Sequence, residues 1–212
     1  MFELVVISHA DMLPGEAAIV QQLFEAGLEY FHLRKPEADE QAVRQLIEAI
    51  PAVYHNRIAM HGFFQLMSAY DIRRWHFREE HRMATAVETL AQLKDKGYIL
   101  STSVHDLQTL QSLQALFSYT FLSPVFDSIS KQQYKGFAND GFYLHDEKKA
   151  VPVIALGGID AGNIQKVADM NFDGAAVLGT IWNEPAKAID NFKILQWDQE
   201  AIWLNNCFRH RR

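Results

Sequence analysis

Eight short apolar runs, rich in Val, Ile, Leu, Phe and Tyr, constrain this chain more than any other feature. They are Phe2–Ile7, Leu28–Leu33, Arg57–His61, Arg73–Phe77, Tyr98–Thr102, Tyr119–Leu122, Val151–Leu156 and Gly174–Leu178. Most are separated by segments of helical periodicity. Val20, Leu23 and Phe24 share one stripe with Ala17, and Val43, Leu46, Ile47 and Ile50 share another. Further stripes are Val87, Leu90, Ala91 and Leu93, then Leu107, Leu110, Leu113 and Leu116, then Ile164, Val167 and Ala168, then Ala188, Ile189, Phe192 and Leu195. Gly27 and Gly97 each stand where a helix must stop just before a strand begins. Eight strands alternating with helices predict a (β/α)8 TIM barrel, one domain over 1–212. The rival is a doubly wound open sheet, which needs fewer strands and leaves glycine turns after both of the last two unexplained.

Composition narrows the function classes. The 212 residues carry a net charge of −6, which argues against a nucleic-acid partner. The basic end Arg209-His210-Arg211-Arg212 reads as a solvated terminus. One cysteine, Cys207, excludes an internal disulfide and a cysteine-based metal site. The start lacks a basic region ahead of its short apolar run, and no run approaches the ~18 apolar residues of a membrane span. A cytoplasmic protein with no membrane partner is the expectation. The C-terminal stretch with Trp197, Trp203 and Phe208 is expected to cover the barrel bottom, with a homodimer surface as the alternative.

The ends of the last strands carry the anion signal. Val151–Leu156 delivers Gly157 and Gly158, with Asp160 as helix cap, and Gly174–Leu178 delivers Gly179 and Thr180. In barrels of this kind, backbone N–H groups from the loops after strands seven and eight hold a phosphate, and glycine lets the backbone approach the anion. The same glycines also suit tight turns. Ser123–Lys131 follows strand six, where Ser128, Ser130 and Lys131 offer hydroxyls and a point charge. A solvated loop lysine is the alternative. Residues 127–143 form the longest irregular stretch, a candidate lid.

Alternation along strand two places Tyr30, His32 and Arg34 on one face. If the apolar face packs on helices, His32 and Arg34 point to the barrel mouth, where an arginine calls for an anionic partner. His61 closes strand three, His76 lies in strand four and His105 follows strand five. Histidine is the natural proton shuttle near neutral pH, although each taken singly is more often a structural residue or a helix cap. A zinc site from His32, His61 and His105 has no supporting ligand spacing. Ser103 or Asp106 can cap the helix after strand five.

These segments resemble the thiamin phosphate synthase and thiazole tautomerase superfamily from Phe2 to Ile181. Ser123–Lys131 is similar to its Gly-Pro-Val-Phe-x-Thr-x-Thr-Lys, Val151–Ile159 to its strand-seven Gly-Gly-Ile, and Gly174–Ile181 to its strand-eight phosphate loop. His32-Leu33-Arg34 resembles Gln-Leu-Arg, and Ser103-Val104-His105 matches Ser-x-His. The resemblance implies a TIM barrel binding the thiazole phosphate precursor of thiamin. By carry-over, Gly158, Gly179 and Thr180, with Gly157 beside them, hold the thiazole phosphate. Arg34, Ser103, Ser128, Ser130 and Lys131 line the rest of the pocket, the last three facing a pyrophosphate in a synthase.

Departures from the synthase pattern set the functional expectation. Its Asn-Asp pair after strand three is His61-Gly62 here, and the second magnesium aspartate falls near His81, with Glu79 or Glu80 as substitutes. Pro36 and Pro124 stand where a synthase lysine and a tautomerase histidine are found. The leading expectation is therefore a metal-independent thiazole tautomerase without cofactor, with base candidates in the order His105, His61, His32. The alternatives are a magnesium-dependent thiamin phosphate synthase, a non-catalytic thiazole phosphate binder, and an isomerase of another phosphorylated metabolite.

Overall fold

The computed structural model describes residues 2–127, 136 and 141–196. Eight parallel strands close into a barrel in chain order. They are β1 (Glu3–Ile7), β2 (Tyr30–Leu33), β3 (Ile58–Met60), β4 (Arg74–Phe77), β5 (Ile99–Val104), β6 (Tyr119–Leu122), β7 (Val153–Leu156) and β8 (Gly174–Val177). Pairing of β8 with β1, Glu3 against Gly174 through Val6 against Val177, excludes the open-sheet rival. The helices are α1 (Glu16–Glu25), α2 (Glu40–Ala49), α3 (Glu79–Ala84), α4 (Val87–Asp95), α5 (Leu107–Gln111), α6 (Ile164–Asp169) and α7 (Gly179–Trp182). A further helix, α8, occupies 188–196. Between β3 and β4 a 3₁₀ segment, Phe64–Tyr70, stands in for a full helix.

The strands read as apolar runs because a parallel barrel buries both faces of each one. Outward-facing Leu4, Val6, Phe31, Leu33, Leu122, Val153 and Ala155 pack in one cluster with the helical stripes, including Val20, Leu23, Val43, Ile47, Ile164, Val167, Phe192 and Leu195. Gly27 and Gly97 end α1 and α4 at φ of 102° and 85°. In each case a pair of hydrogen bonds closes the last turn: Gly27 N to Phe24 O with Leu28 N to Leu23 O, and Gly97 N to Lys94 O with Tyr98 N to Leu93 O. Asp39 caps α2 through the Ala42 amide at 2.8 Å, and Asp106, rather than Ser103, caps α5 through the Thr109 amide at 2.7 Å.

Two local expectations are corrected. Asp160 does not cap α6: its carboxylate accepts from the Gly162 amide, and the helix opens only after Asn163, so the acid shapes the turn before it. Strand β5 runs to Val104 rather than Thr102, which brings Ser103 into the ladder opposite Phe121.

Inside the barrel, Val5, Ile7, Tyr119, Phe121, Ile154 and Ala176 form a second cluster. The remaining arc of the lumen holds buried His32, His76 and Ser101. A buried ion pair ties the loop after β1 to the end of β2: Lys35 Nζ lies 2.5 Å from a Glu16 carboxylate oxygen and donates to the carbonyls of His9 and Asp11.

Candidate active site at the strand ends

The C-terminal strand ends carry the described candidate residues. Arg34 follows β2, His61 follows β3, His105 follows β5, and the glycine turns follow β7 and β8. In barrels of this architecture that face carries the site.

Three imidazoles meet where the lumen opens. His32 Nδ1 lies 2.8 Å from His61 Nε2, and His32 Nε2 lies 2.6 Å from the Tyr119 hydroxyl. The His61 and His76 rings stack at 4.0 Å between centroids. His76 is held on both sides, Nδ1 by Ser101 Oγ and Nε2 by Ser103 Oγ, each at 2.9 Å. A ligating nitrogen from each of the three lies within 4.8 Å of the others. Burial holds all three rings well below the ordinary imidazole range, His76 down to about 3, and the neighbouring rings and arginines push His32 and His61 the same way. They are neutral at pH 7. Burial likewise pushes the Tyr119 phenol up, so it stays protonated.

His105 is not part of this cluster. It sits exposed on the rim with Nδ1 3.1 Å from the Ser123 carbonyl and 3.3 Å from Ser123 Oγ. The trio is therefore His32, His61 and His76, not the set considered from sequence. His32 is fully buried with both nitrogens engaged, so it faces a ligand only through His61, which is half-buried at the mouth.

A cavity of about 230 Å³ opens beside His61. Its walls are Leu33, Val43, Met60 and Phe63, and its polar groups come from Arg34, Lys35, His61 and Arg78. With Lys35 neutralised by Glu16, the two guanidiniums are the net charge of this space. Arginine's planar fork suits bidentate contact with phosphate or carboxylate oxygens.

The glycine turns lie on the other side of β1 from this cavity. Gly157 and Gly158 have φ of 108° and 64°, and a Cβ on Gly158 would stand 2.7 Å from the Asp127 carbonyl oxygen. Close packing against the loop after β6 is thus one reason for glycine here. Asn163 Nδ2 donates to the Gly158 carbonyl at 2.7 Å, and the Thr180 hydroxyl donates to Ile159 O at 2.6 Å, joining the β7 and β8 turns. Gly179 and Thr180 open α7, where the first amides of a helix have no acceptor within it. Ser128, Ser130 and Lys131 lie outside the described residues, as does most of the candidate lid.

A model of the thiamine monophosphate synthase family matches residues 4–181, from within β1 to within α7. The chain belongs to that family. Among its curated relatives are the thiamine-phosphate synthase of Geobacillus kaustophilus, 22% identical over 179 residues, covering 80% of this chain and 79% of the relative. That of Rhizobium etli is 28% identical over 182 residues, covering 82% and 87%. Among solved structures, the thiamine phosphate pyrophosphorylase of Bacteroides thetaiotaomicron superposes with a TM-score of 0.73 at 27% identity, covering 94% of this chain and 98% of that one. The corresponding protein from Pyrococcus furiosus gives a TM-score of 0.72 at 17% identity, covering 95% and 96%, and supports the fold. Thiamin biosynthesis is the context these similarities supply, and relatives named as synthases favour that activity over the tautomerase expectation.

Magnesium is the ion a synthase implies, and it takes oxygen donors in near-octahedral geometry. The cavity wall offers no carboxylate. Glu79 sits 3.2 Å from Arg82, Glu80 is exposed on α3, and neither lines the cavity. The described residues do not fit a magnesium ion.

Arg78, Ser101 and Tyr119 stand in this candidate site and were missed by sequence reading. A usable signal was present: polar residues recur at every second position of apolar strands, Tyr30 and His32, Arg74 and His76, Ser101 and Ser103, marking a polar inward face.

Proposed function

We propose that this protein is a thiamine-phosphate synthase-type transferase that joins a pyrimidine pyrophosphate to thiazole phosphate. The observation that carries the reading is that the mouth offers two separate anion-competent places, as a reaction between two phosphorylated substrates needs. One is the pair of glycine turns at Gly157, Gly158, Gly179 and Thr180; the other is the cavity under Arg34 and Arg78. The shared name of the curated relatives supports it.

In this reading the turn amides hold the thiazole phosphate and Arg34 and Arg78 face the pyrophosphate; Ser128, Ser130 and Lys131, outside the described residues, are the further pyrophosphate contacts the family resemblance implies. Departure of pyrophosphate is favoured by cations fixed where charge develops. Among the described residues those are the two guanidiniums. Ser103 lines the strand-five side, and neutral His61 offers a hydrogen bond at the cavity wall. The protein then works as a cytoplasmic enzyme on small phosphorylated substrates; Trp197, Trp203 and Phe208, the basis of the homodimer expectation, lie outside the described residues.

The test is a coupled assay of purified protein with hydroxymethylpyrimidine pyrophosphate, thiazole phosphate and magnesium, reading thiamin phosphate. Product that falls by at least about 100-fold in Arg34→Ala, as expected for a group stabilising transition-state charge, supports the reading. An inert, folded wild-type protein overturns it.

The carboxylate-free cavity favours a second reading, a thiazole tautomerase moving a proton without metal. His105, His61 and His32 are its base candidates, with His61 the one that combines a cavity wall with a neutral ring. Turnover of the thiazole carboxylate phosphate without coupling would select it. Tight binding with neither reaction would select a thiazole phosphate-binding protein.

A further inference from the structure

We propose that His32, His61 and His76 form a binding site for one transition-metal ion of the zinc, cobalt or nickel kind, opening onto the Arg34–Arg78 cavity. The inference does not rest on the synthase reading. It starts from donor chemistry: three imidazoles converge with ligating nitrogens within 4.8 Å, and one of them, His61, also lines the adjoining cavity, whose wall offers no carboxylate. Imidazole sets select zinc, cobalt, nickel or copper, and carboxylate and water sets select magnesium.

The surroundings supply what a histidine ligand needs, a partner on the nitrogen that does not bind metal. His32 Nε2 is held by Tyr119 at 2.6 Å, which leaves Nδ1 facing His61. His76 Nδ1 is held by Ser101 at 2.9 Å, which leaves Nε2, whose present partner is the rotatable Ser103 hydroxyl. Three strands, β2, β4 and the end of β3, fix the three rings, so the site costs little ordering.

The rearrangement required is small. His32 Nδ1 and His61 Nε2 are 2.8 Å apart as a hydrogen-bonded pair. Around a tetrahedral ion with metal–nitrogen bonds of about 2.1 Å, they would stand about 3.4 Å apart. The proton shared by that pair leaves as a tautomer shift, to the second nitrogen of whichever ring carries it. All three rings are neutral beforehand, so no net proton release is needed. His61 is half-buried and lines the cavity, so a fourth position left on that side would be open to a ligand, the arrangement of catalytic three-histidine sites.

Arg34, Arg74 and Arg78 oppose a dication electrostatically. Direct coordination by imidazole therefore has to outweigh this repulsion, which a hard, weakly imidazole-seeking ion such as magnesium cannot do. The competing account is a polar hydrogen-bond network that binds nothing.

The experiment is titration of chelator-treated protein with Co²⁺, followed by visible absorption, and with Zn²⁺, followed by calorimetry. The expected result is one ion per chain with the ligand-field bands of a four-coordinate cobalt site. Tyr119→Phe, which removes only the hydroxyl behind His32, should weaken binding by about 10–100-fold. His61→Ala should weaken it further, and His145→Ala, an exposed histidine, should leave it unchanged. Circular dichroism confirms the fold of each variant, with His61→Gln as the substitute if His61→Ala fails to fold. Absent binding, or binding that His61 and Tyr119 variants leave intact, overturns the proposal whatever the coupled assay shows.

Discussion

The two arcs of the barrel lumen share strand geometry and burial and differ in chemistry. On β1, β7 and β8 the inward residues are Val5, Ile7, Ile154 and Ala176, a dry packing surface. On β2, β4 and β5 they are His32, His76 and Ser101, equally sealed from solvent but polar throughout. Tyr119 and Phe121 of β6 form the boundary, with Tyr119 bonded to the polar arc and Phe121 packed against His32 and His76 at 4.7 and 4.9 Å. Apolar burial on one side stabilises in proportion to area and needs no partner. The polar side is tolerated only because nearly every ring nitrogen has one. One arc holds the barrel together, and the other is left to carry chemistry at a cost in stability that depends on pH.

Acid gives the largest separation of the two arcs. The three imidazoles titrate near 6.5 when unfolded and well below that when folded. Their depressed folded values leave the native state with fewer protons, so stability is full above about pH 6.5 and falls as pH drops beneath it. Each ring that stays neutral contributes about 1.4 kcal/mol of loss per pH unit, a sizeable share of a domain's marginal stability. Urea unfolding across this range should show it, and a flat profile would mean the rings are protonated in the fold.

The apolar arc should respond to truncation and not to pH. Ile154→Ala is expected to cost about 2–5 kcal/mol through a lost side chain and a cavity, equally at about pH 7 and about pH 5. Ser101→Ala should cost about 1–3 kcal/mol by leaving His76 Nδ1 without its partner, and should make the acid transition steeper or earlier. Equal costs at both pH values for that variant would merge the two arcs. Outside the lumen, Asp39→Ala should cost about 1 kcal/mol through loss of the α2 cap, and thermal unfolding would read it.

The strands were legible because burial on both faces writes itself as an apolar run, and each of the eight emerged within a few residues of its predicted place. The helix ends at Gly27 and Gly97 were legible because a left-handed residue there demands glycine. The stripe Leu107 to Leu116 overstated α5, which stops at Gln111, since buried Leu113 satisfies the same pattern outside a helix. Arg34 was placed at the mouth from strand alternation, and His61 from its position closing strand three. The clustering of His76 with them, and its serine and tyrosine partners, was not readable. It depends on register between strands, His76 against Ser101 and Ser101 against Tyr119, and a two-residue period within one strand says nothing about its neighbour.

The seam between β1 and β8 has a consequence for how the protein is made. It joins the first and last strands of the sequence, and the Trp182 indole N–H, donating to the Ile7 carbonyl at 2.8 Å, clasps it across 175 positions. A ribosome adding about 5–20 residues per second needs roughly ten to thirty seconds to travel that distance. Throughout that interval the first strand waits with one edge unpaired. The nascent chain therefore carries an open sheet rather than a barrel until its last strand emerges, and its exposure to chaperones and to mispairing ends only with that closing step.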